Sequence, residues 1–97
     1  MTEKQLQSYL MKVAQRAGYL CHKVESRTSR GFPDLILISP NRVDFIELKS
    51  PNTGGRLSVH QVNTLQKLRD QDANVHVINS TAQVDALFTR IDMLDPY

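Results

Sequence analysis

Two apolar runs, residues 34–39 (Asp-Leu-Ile-Leu-Ile-Ser) and 43–49 (Val-Asp-Phe-Ile-Glu-Leu-Lys), are separated only by Pro40-Asn41-Arg42. Each run has strand length and strand composition, and proline followed by asparagine is turn chemistry. A connection this short returns the chain beside itself, so the two runs predict an antiparallel pair. Side chains alternate across a strand, which sends Glu47 and Lys49 to one face and Ile46 and Leu48 to the other. Asp34 opens the first run, directly after Gly31-Phe32-Pro33. Three ionisable groups are thereby expected to converge at the ends of adjacent strands.

The rest of the chain supplies what such a pair must pack against. Leu6, Tyr9, Leu10, Val13, Ala14 and Ala17 recur with helical period, predicting a helix over 2–18 with Thr2 as its cap and Gly18 as its stop. Residues 19–26 predict a strand, and 27–33 a basic, turn-rich loop. A second loop spans 50–57. Ser58 and Gln61 form a capping-box pattern ahead of a helix running to about Gln71, with Val59, Val62, Leu65 and Leu68 expected on its buried side. Residues 74–78 predict a short strand. Ser80 and Gln83 repeat the capping pattern before a last helix whose buried stripe is Val84, Leu87, Phe88 and Ile91. The order αβββαβα predicts an α/β fold, a mixed central sheet of about four strands flanked by helices.

Ninety-seven residues are too few to divide between two cores, so one domain over 1–97 is expected. The 40% hydrophobic content is too high for a disordered chain, and no apolar run approaches ~18 residues, so a membrane role is not expected. The N-terminus lacks the apolar stretch of a signal peptide. Cys21 is the only cysteine, which excludes an internal disulfide, fits a reducing cytoplasm, and leaves no zinc spacing. Charge is unevenly spread. Residues 1–69 hold eleven Lys/Arg against five Asp/Glu, a net +6, and residues 70–97 hold one against five, a net −4. That distribution suits a polyanion docking on one side, and equally suits two solvated surfaces.

Each candidate site residue has an ordinary explanation beside the functional one. Asp34 after a proline is a common turn residue. Glu47 is harder to dismiss, because a carboxylate in a covered strand is costly unless it is paired or holds a cation. Lys49 beside it could be a surface ion pair. Taken together, two carboxylates suit a hard divalent cation, and an amine beside them suits an activated water or a phosphate, the requirements of metal-assisted phosphodiester hydrolysis. Glu3 falls within the inward arc of Leu6, Leu10 and Val13 and could reach the cation through a water, or simply favour the helix dipole. Gln7 lies at the margin of that face. Gln61 could complete its capping box or orient Lys49 or the attacking water, roles that are partly exclusive for one side chain. Lys23 and Glu25 lie near the sheet edge, where they could border the site; solvent exposure is the leading expectation. Arg27, Arg30 and Arg56, with Ser29, Gly54 and Gly55, occupy the two loops flanking the site, where phosphates would be gripped. Of the three histidines, His60 near a helix start is the candidate phosphate contact. No interleaved aromatics indicate base stacking.

Gly31-Phe32-Pro33-Asp34, then Phe45-Ile46-Glu47-Leu48-Lys49-Ser50-Pro51, then Leu57-Ser58-Val59-His60-Gln61 resemble the signature of the VRR-NUC (virus-type replication-repair nuclease) domain, of the PD-(D/E)XK nuclease superfamily. The resemblance covers nearly the whole chain and is closest to the compact stand-alone kind of phage and bacteria. It implies a restriction-endonuclease-like domain, in the cytoplasm of a bacterial or phage-infected cell. Asp34 and Glu47, with the backbone carbonyl of Leu48, would ligate Mg²⁺ or Mn²⁺, and Lys49 would position or help deprotonate the water. Gln61 matches the family's helix glutamine and Glu3 its first-helix glutamate. Stand-alone members are similar to Holliday-junction resolvases, which act as homodimers on branched DNA; members fused to larger domains act on flaps. The expected function is therefore a metal-dependent DNA endonuclease. Its competitors are a flap or general DNA nuclease, a non-catalytic nucleic-acid-binding module on the same scaffold, and a small interaction protein with merely exposed charges.

Overall fold

A computed structural model describes residues 1–25, 31–50 and 56–94. Among them are three helices, α1 (Glu3–Ala17), α2 (Val59–Asp70) and α3 (Thr81–Met93), and four strands, β1 (Leu20–Lys23), β2 (Leu35–Ser39), β3 (Arg42–Leu48) and β4 (Asn74–Ile78). The order αβββαβα is the one the sequence predicts. Strands β1, β2 and β3 pair antiparallel in sequence order, and β4 joins β3 in parallel, giving a mixed sheet β1-β2-β3-β4.

The helices start where side chains can take over unpaired backbone donors. Thr2 and Gln5 form a capping box ahead of α1, and Ser58 and Gln61 one ahead of α2. At α3 the pattern is only half realised: Ser80 caps the Gln83 amide, but the Gln83 side chain accepts from Asn79 N, at 2.7 Å. Gly18 ends α1 in the left-handed conformation, with its N–H on the carbonyls of Ala14 and Gln15.

The β2–β3 hairpin is set by Pro40 and Asn41. Proline fixes φ at the first central position, and Asn41 takes φ 59° at the second, the pairing a type II turn requires. Ser39 then faces Arg42, so Arg42, expected in the turn, is the first residue of β3. β1 is shorter than the predicted 19–26; past Lys23 its contact with β2 continues through Val24 N donating to Asp34 O, at 2.8 Å. Of that predicted span, Ser26 lies outside the described residues.

Alternation divides the sheet into two faces. Leu35 and Leu37 of β2, Ile46 and Leu48 of β3 and Ile78 of β4 form one core with Leu6, Leu10 and Ala14 of α1 and Val84, Leu87, Phe88 and Ile91 of α3. The Tyr9 and Tyr19 hydroxyls donate to Asp85 and Asp92 of α3, both at 2.6 Å, and Tyr19 stacks on Phe88. The opposite face carries α2. Here the apolar pattern misplaces the buried stripe. Leu65 is buried as expected and Leu68 is partly covered, but Val59 is 74% and Val62 51% exposed. The inward row runs through Gln61, Thr64, Leu65 and Leu68, because the inward position one turn before Leu65 is held by a polar side chain with a buried partner. No helix among the described residues is long and apolar enough to cross a membrane.

Candidate active site

The hairpin register fixes the centre of the site. Leu35 faces Ile46, so the next step along the ladder sets Asp34 opposite Glu47, whose side chain turns toward the α2 face. The Asp34 Oδ2 accepts from Leu48 N at 2.8 Å, which fixes that carboxylate against the end of β3. Lys49 N donates to Ile78 O of β4. Backbone groups alternate sides along a strand, so the Leu48 carbonyl points the other way, toward Asp34. Two carboxylates and one main-chain oxygen thereby approach the same rim of the sheet.

Glu47 is the electrostatic focus. It is only 2% exposed, under α2. Its pKa is raised to about 8, first by burial, then by Asp34 through its charge and through a hydrogen bond that requires a proton; Lys49 opposes the rise and Glu3 adds to it. Lys49 Nζ lies 3.7 Å from Glu47 Oε2, a distance that leaves the ammonium free to contact a further group. Gln61 Nε2 donates to the same Oε2, at 3.1 Å. The other oxygen, Oε1, is buried, and no hydrogen-bond donor reaches it while Asp34 is ionised. Glu47 therefore either stays protonated or, once ionised, needs a cation at Oε1, beside Asp34. A hard divalent ion answers that demand, so the residues fit such an ion. Among the described residues no three His, Cys, Asp or Glu side chains cluster to hold a metal; the oxygens that meet at this rim are those of two carboxylates and a main-chain carbonyl.

Gln61 completes its capping box and also reaches a site residue, Glu47. Its Oε1 accepts from Ser58 N at 2.8 Å, completing the capping box, while Nε2 reaches Glu47. An amide has an acceptor end and a donor end, so the roles are compatible, and the residue it supports is Glu47 rather than Lys49. The approach of α2 depends on Gly31, at φ 78°, where a Cβ would stand 2.4 Å from His60 O.

Glu3 is exposed, and its Oε1 accepts from Ser50 N at 3.3 Å, which holds it at the same end of the sheet. A cleft of about 400 Å³ is lined by Glu3, Lys4, Gln7, Lys23, Asp34 and Leu48. A slightly larger hollow, about 460 Å³, lies at the hairpin end among Tyr19, Arg42, Asn74 and Asp92, but it lacks the orphaned carboxylate oxygen, so chemistry rather than size identifies the site. Arg56 and His60 are exposed at the approach to α2. Arg27, Ser29, Arg30, Gly54 and Gly55 lie outside the described residues.

One charged residue escaped the sequence reading. Asp44 is wholly buried, opposite Leu37 on the core face. It accepts from Arg42 Nε and Nη2 at 2.8–3.0 Å, and His76 Nε2 lies 2.7 Å away. Burial would raise its pKa, but these partners outweigh burial and hold it below the ordinary value. The signal was available: alternation puts Asp44 on the same side as Ile46 and Leu48.

The profile of the VRR-NUC domain family matches residues 1–82, ending just inside α3. None of the curated proteins matches the chain in sequence. A solved structure titled "VRR_NUC domain" superposes with a TM-score of 0.79 at 29% identity, covering 92% of this chain and 97% of that one. Another, "VRR_NUC domain protein", gives 0.76 at 19% identity over 93% and 87%, and supports the fold alone. The chain belongs to the VRR-NUC domain family, nucleases of the PD-(D/E)XK type.

Proposed function

We propose that this chain is a divalent-metal-dependent DNA endonuclease, one nuclease domain over residues 1–97, acting on branched DNA as a homodimer in the cytoplasm of a bacterial or phage-infected cell. The observation that carries the hydrolytic reading is the unpartnered, buried Oε1 of Glu47 beside Asp34. Asp34, Glu47 and the Leu48 carbonyl would hold Mg²⁺ or Mn²⁺. A divalent ion so held neutralises phosphate charge and acidifies a bound water.

The chain's own residues do the rest. Leu48 N keeps Asp34 in place, and Gln61 keeps Glu47 in place. Lys49, 3.7 Å from Glu47, places a positive charge where an attacking water or a phosphate oxygen would sit, and stabilises negative charge as it develops there. Glu3 lends further negative potential from α1 and is the candidate for a water-mediated contact. Arg56 and His60, with Arg27 and Arg30, would grip flanking phosphates. Resolving a four-way junction needs two coordinated cuts, and a chain with one site supplies them only as a two-fold dimer.

The test is cleavage of linear, flap, splayed and four-way DNAs with Mg²⁺ or Mn²⁺. Metal-dependent cutting by the wild type, its loss in Glu47→Ala, and a rate reduced at least 100-fold in Lys49→Ala with metal binding retained are the expected results. A Glu47→Ala protein that cuts as fast as wild type overturns the roles. Cutting confined to flap or linear DNA replaces the resolvase reading with the flap or general nuclease.

A further inference from the structure

We propose that Lys4, Gln7 and Lys23 form a second phosphate subsite, which takes a backbone phosphate of the DNA strand next to the one at Asp34 and Glu47. The inference rests on the nuclease reading of that carboxylate pair and extends it to the opposite face of the sheet. Glu47, Lys49 and Gln61 belong to the α2 side. The cleft of about 400 Å³ opens on the α1 side, and the carboxylate wall of Asp34 and the end of β3 at Leu48 are shared between the two. A strand crossing the end of the sheet from α1 to α2 would pass the carboxylates midway.

Three observations converge on the cleft. Lys23 is held by β1, where its register partner is Leu35, the neighbour of Asp34, so it stands beside the site on a paired strand. Lys4 lies in the first turn of α1, where the helix dipole disfavours a cation, and Gln7 follows one turn later on the same side. Neither lysine is neutralised: the ion pairs among the described residues are Arg42–Asp44, His76–Asp44 and Lys49–Glu47. Glu3 and Asp34 line the same cleft and leave both lysines uncommitted. Two free ammonium groups and an amide donor facing a metal-type carboxylate site match the chemistry of a phosphodiester anion.

The test reads DNA binding by fluorescence anisotropy in metal-free buffer across a salt series, for wild type, Lys4→Ala, Lys23→Ala, the double variant, and Lys67→Ala on the exposed last turn of α2. A lost phosphate contact lowers the slope of log affinity against log salt by about 0.9 on duplex and about 0.7 on single strands. The double variant is expected to lose one to two such contacts and Lys67→Ala none. Lys23→Arg should restore the slope lost in Lys23→Ala. In cleavage, half-saturation should rise while the single-turnover rate at saturating DNA stays within about threefold. A wild-type slope in the double variant, or an equal loss in Lys67→Ala, overturns the subsite. Failure of the wild type to cut any DNA overturns the nuclease reading, and the slopes still decide the subsite.

Discussion

Glu47 is a carboxylate that the fold buries beside a second one. Its pKa stands near 8 in the folded chain against 4.5 as the ordinary value, burial being the larger cause and Asp34 the next. Between those pH values the folded state holds a proton that the unfolded state has released, so stability without metal falls as pH rises. The ceiling is ~1.4 kcal/mol per pH unit, and solvent at the sheet rim lowers it, leaving about 1–2 kcal/mol between pH 5 and pH 8. Urea unfolding in chelator should show that slope in the wild type and a flatter one in Glu47→Gln, whose amide carries no charge to desolvate; equal slopes would refute the assignment. The same linkage makes divalent binding release a proton, so Mn²⁺ affinity should climb with pH up to about 8. Asp44 is the opposite case. Its charge is matched by Arg42, with His76 Nε2 within hydrogen-bond reach, and Asp44→Ala strands both in the core rim. The expected cost is about 3 kcal/mol, the low end for a broken buried pair because both partners keep 18% exposure, with Mn²⁺ binding unchanged. Loss of metal binding with the fold intact would show that Asp44 serves the site directly.

At the scale of elements, the meeting of α2 with the hairpin decides whether Gln61 reaches Glu47. Gly31 and Gly18 both have φ near 80°, but only Gly31 has backbone where a Cβ would go. Gly18→Ala should cost about 1 kcal/mol through φ alone and leave catalysis untouched. Gly31→Ala carries the same strain plus displacement of the start of α2, so it should cost more and slow cleavage in parallel. Thermal melts and single-turnover rates on the two variants separate these outcomes, and equal rates would contradict the coupling. The hairpin was legible in the sequence as two strands about a short turn, but its register was not: with Arg42 in the turn Ser39 would face Val43, whereas Ser39 faces Arg42, and that register sets Asp34 opposite Glu47. The α2 stripe was not, because hydrophobicity assigned Val59 and Val62 inward while the inward place belongs to Gln61. Polar partnership across 14 residues of sequence leaves no periodic trace. Alternation already put Asp44 on the core face, but the partners that keep a carboxylate there, Arg42 and the β4 residue His76, show only in the structure.

For the molecule as a whole, α1 and α3 close one face of the sheet and α2 covers part of the other, and the proposed path of the DNA strand crosses the end of the sheet between them. Sedimentation at micromolar concentration should show a two-fold dimer, the form that cuts both strands of a junction; a monomer there would count against resolvase action without touching the hydrolytic site. The hydrolytic reading depends on Asp34 and Glu47 sharing one divalent cation. A crystal soaked in Mn²⁺ and measured at the manganese absorption edge tests that most directly. The expected result is one anomalous peak bonded to both carboxylates and to the Leu48 carbonyl, absent from Glu47→Gln crystals grown alike. A wild-type map with no peak between the two side chains, or the same peak retained in Glu47→Gln, would contradict it.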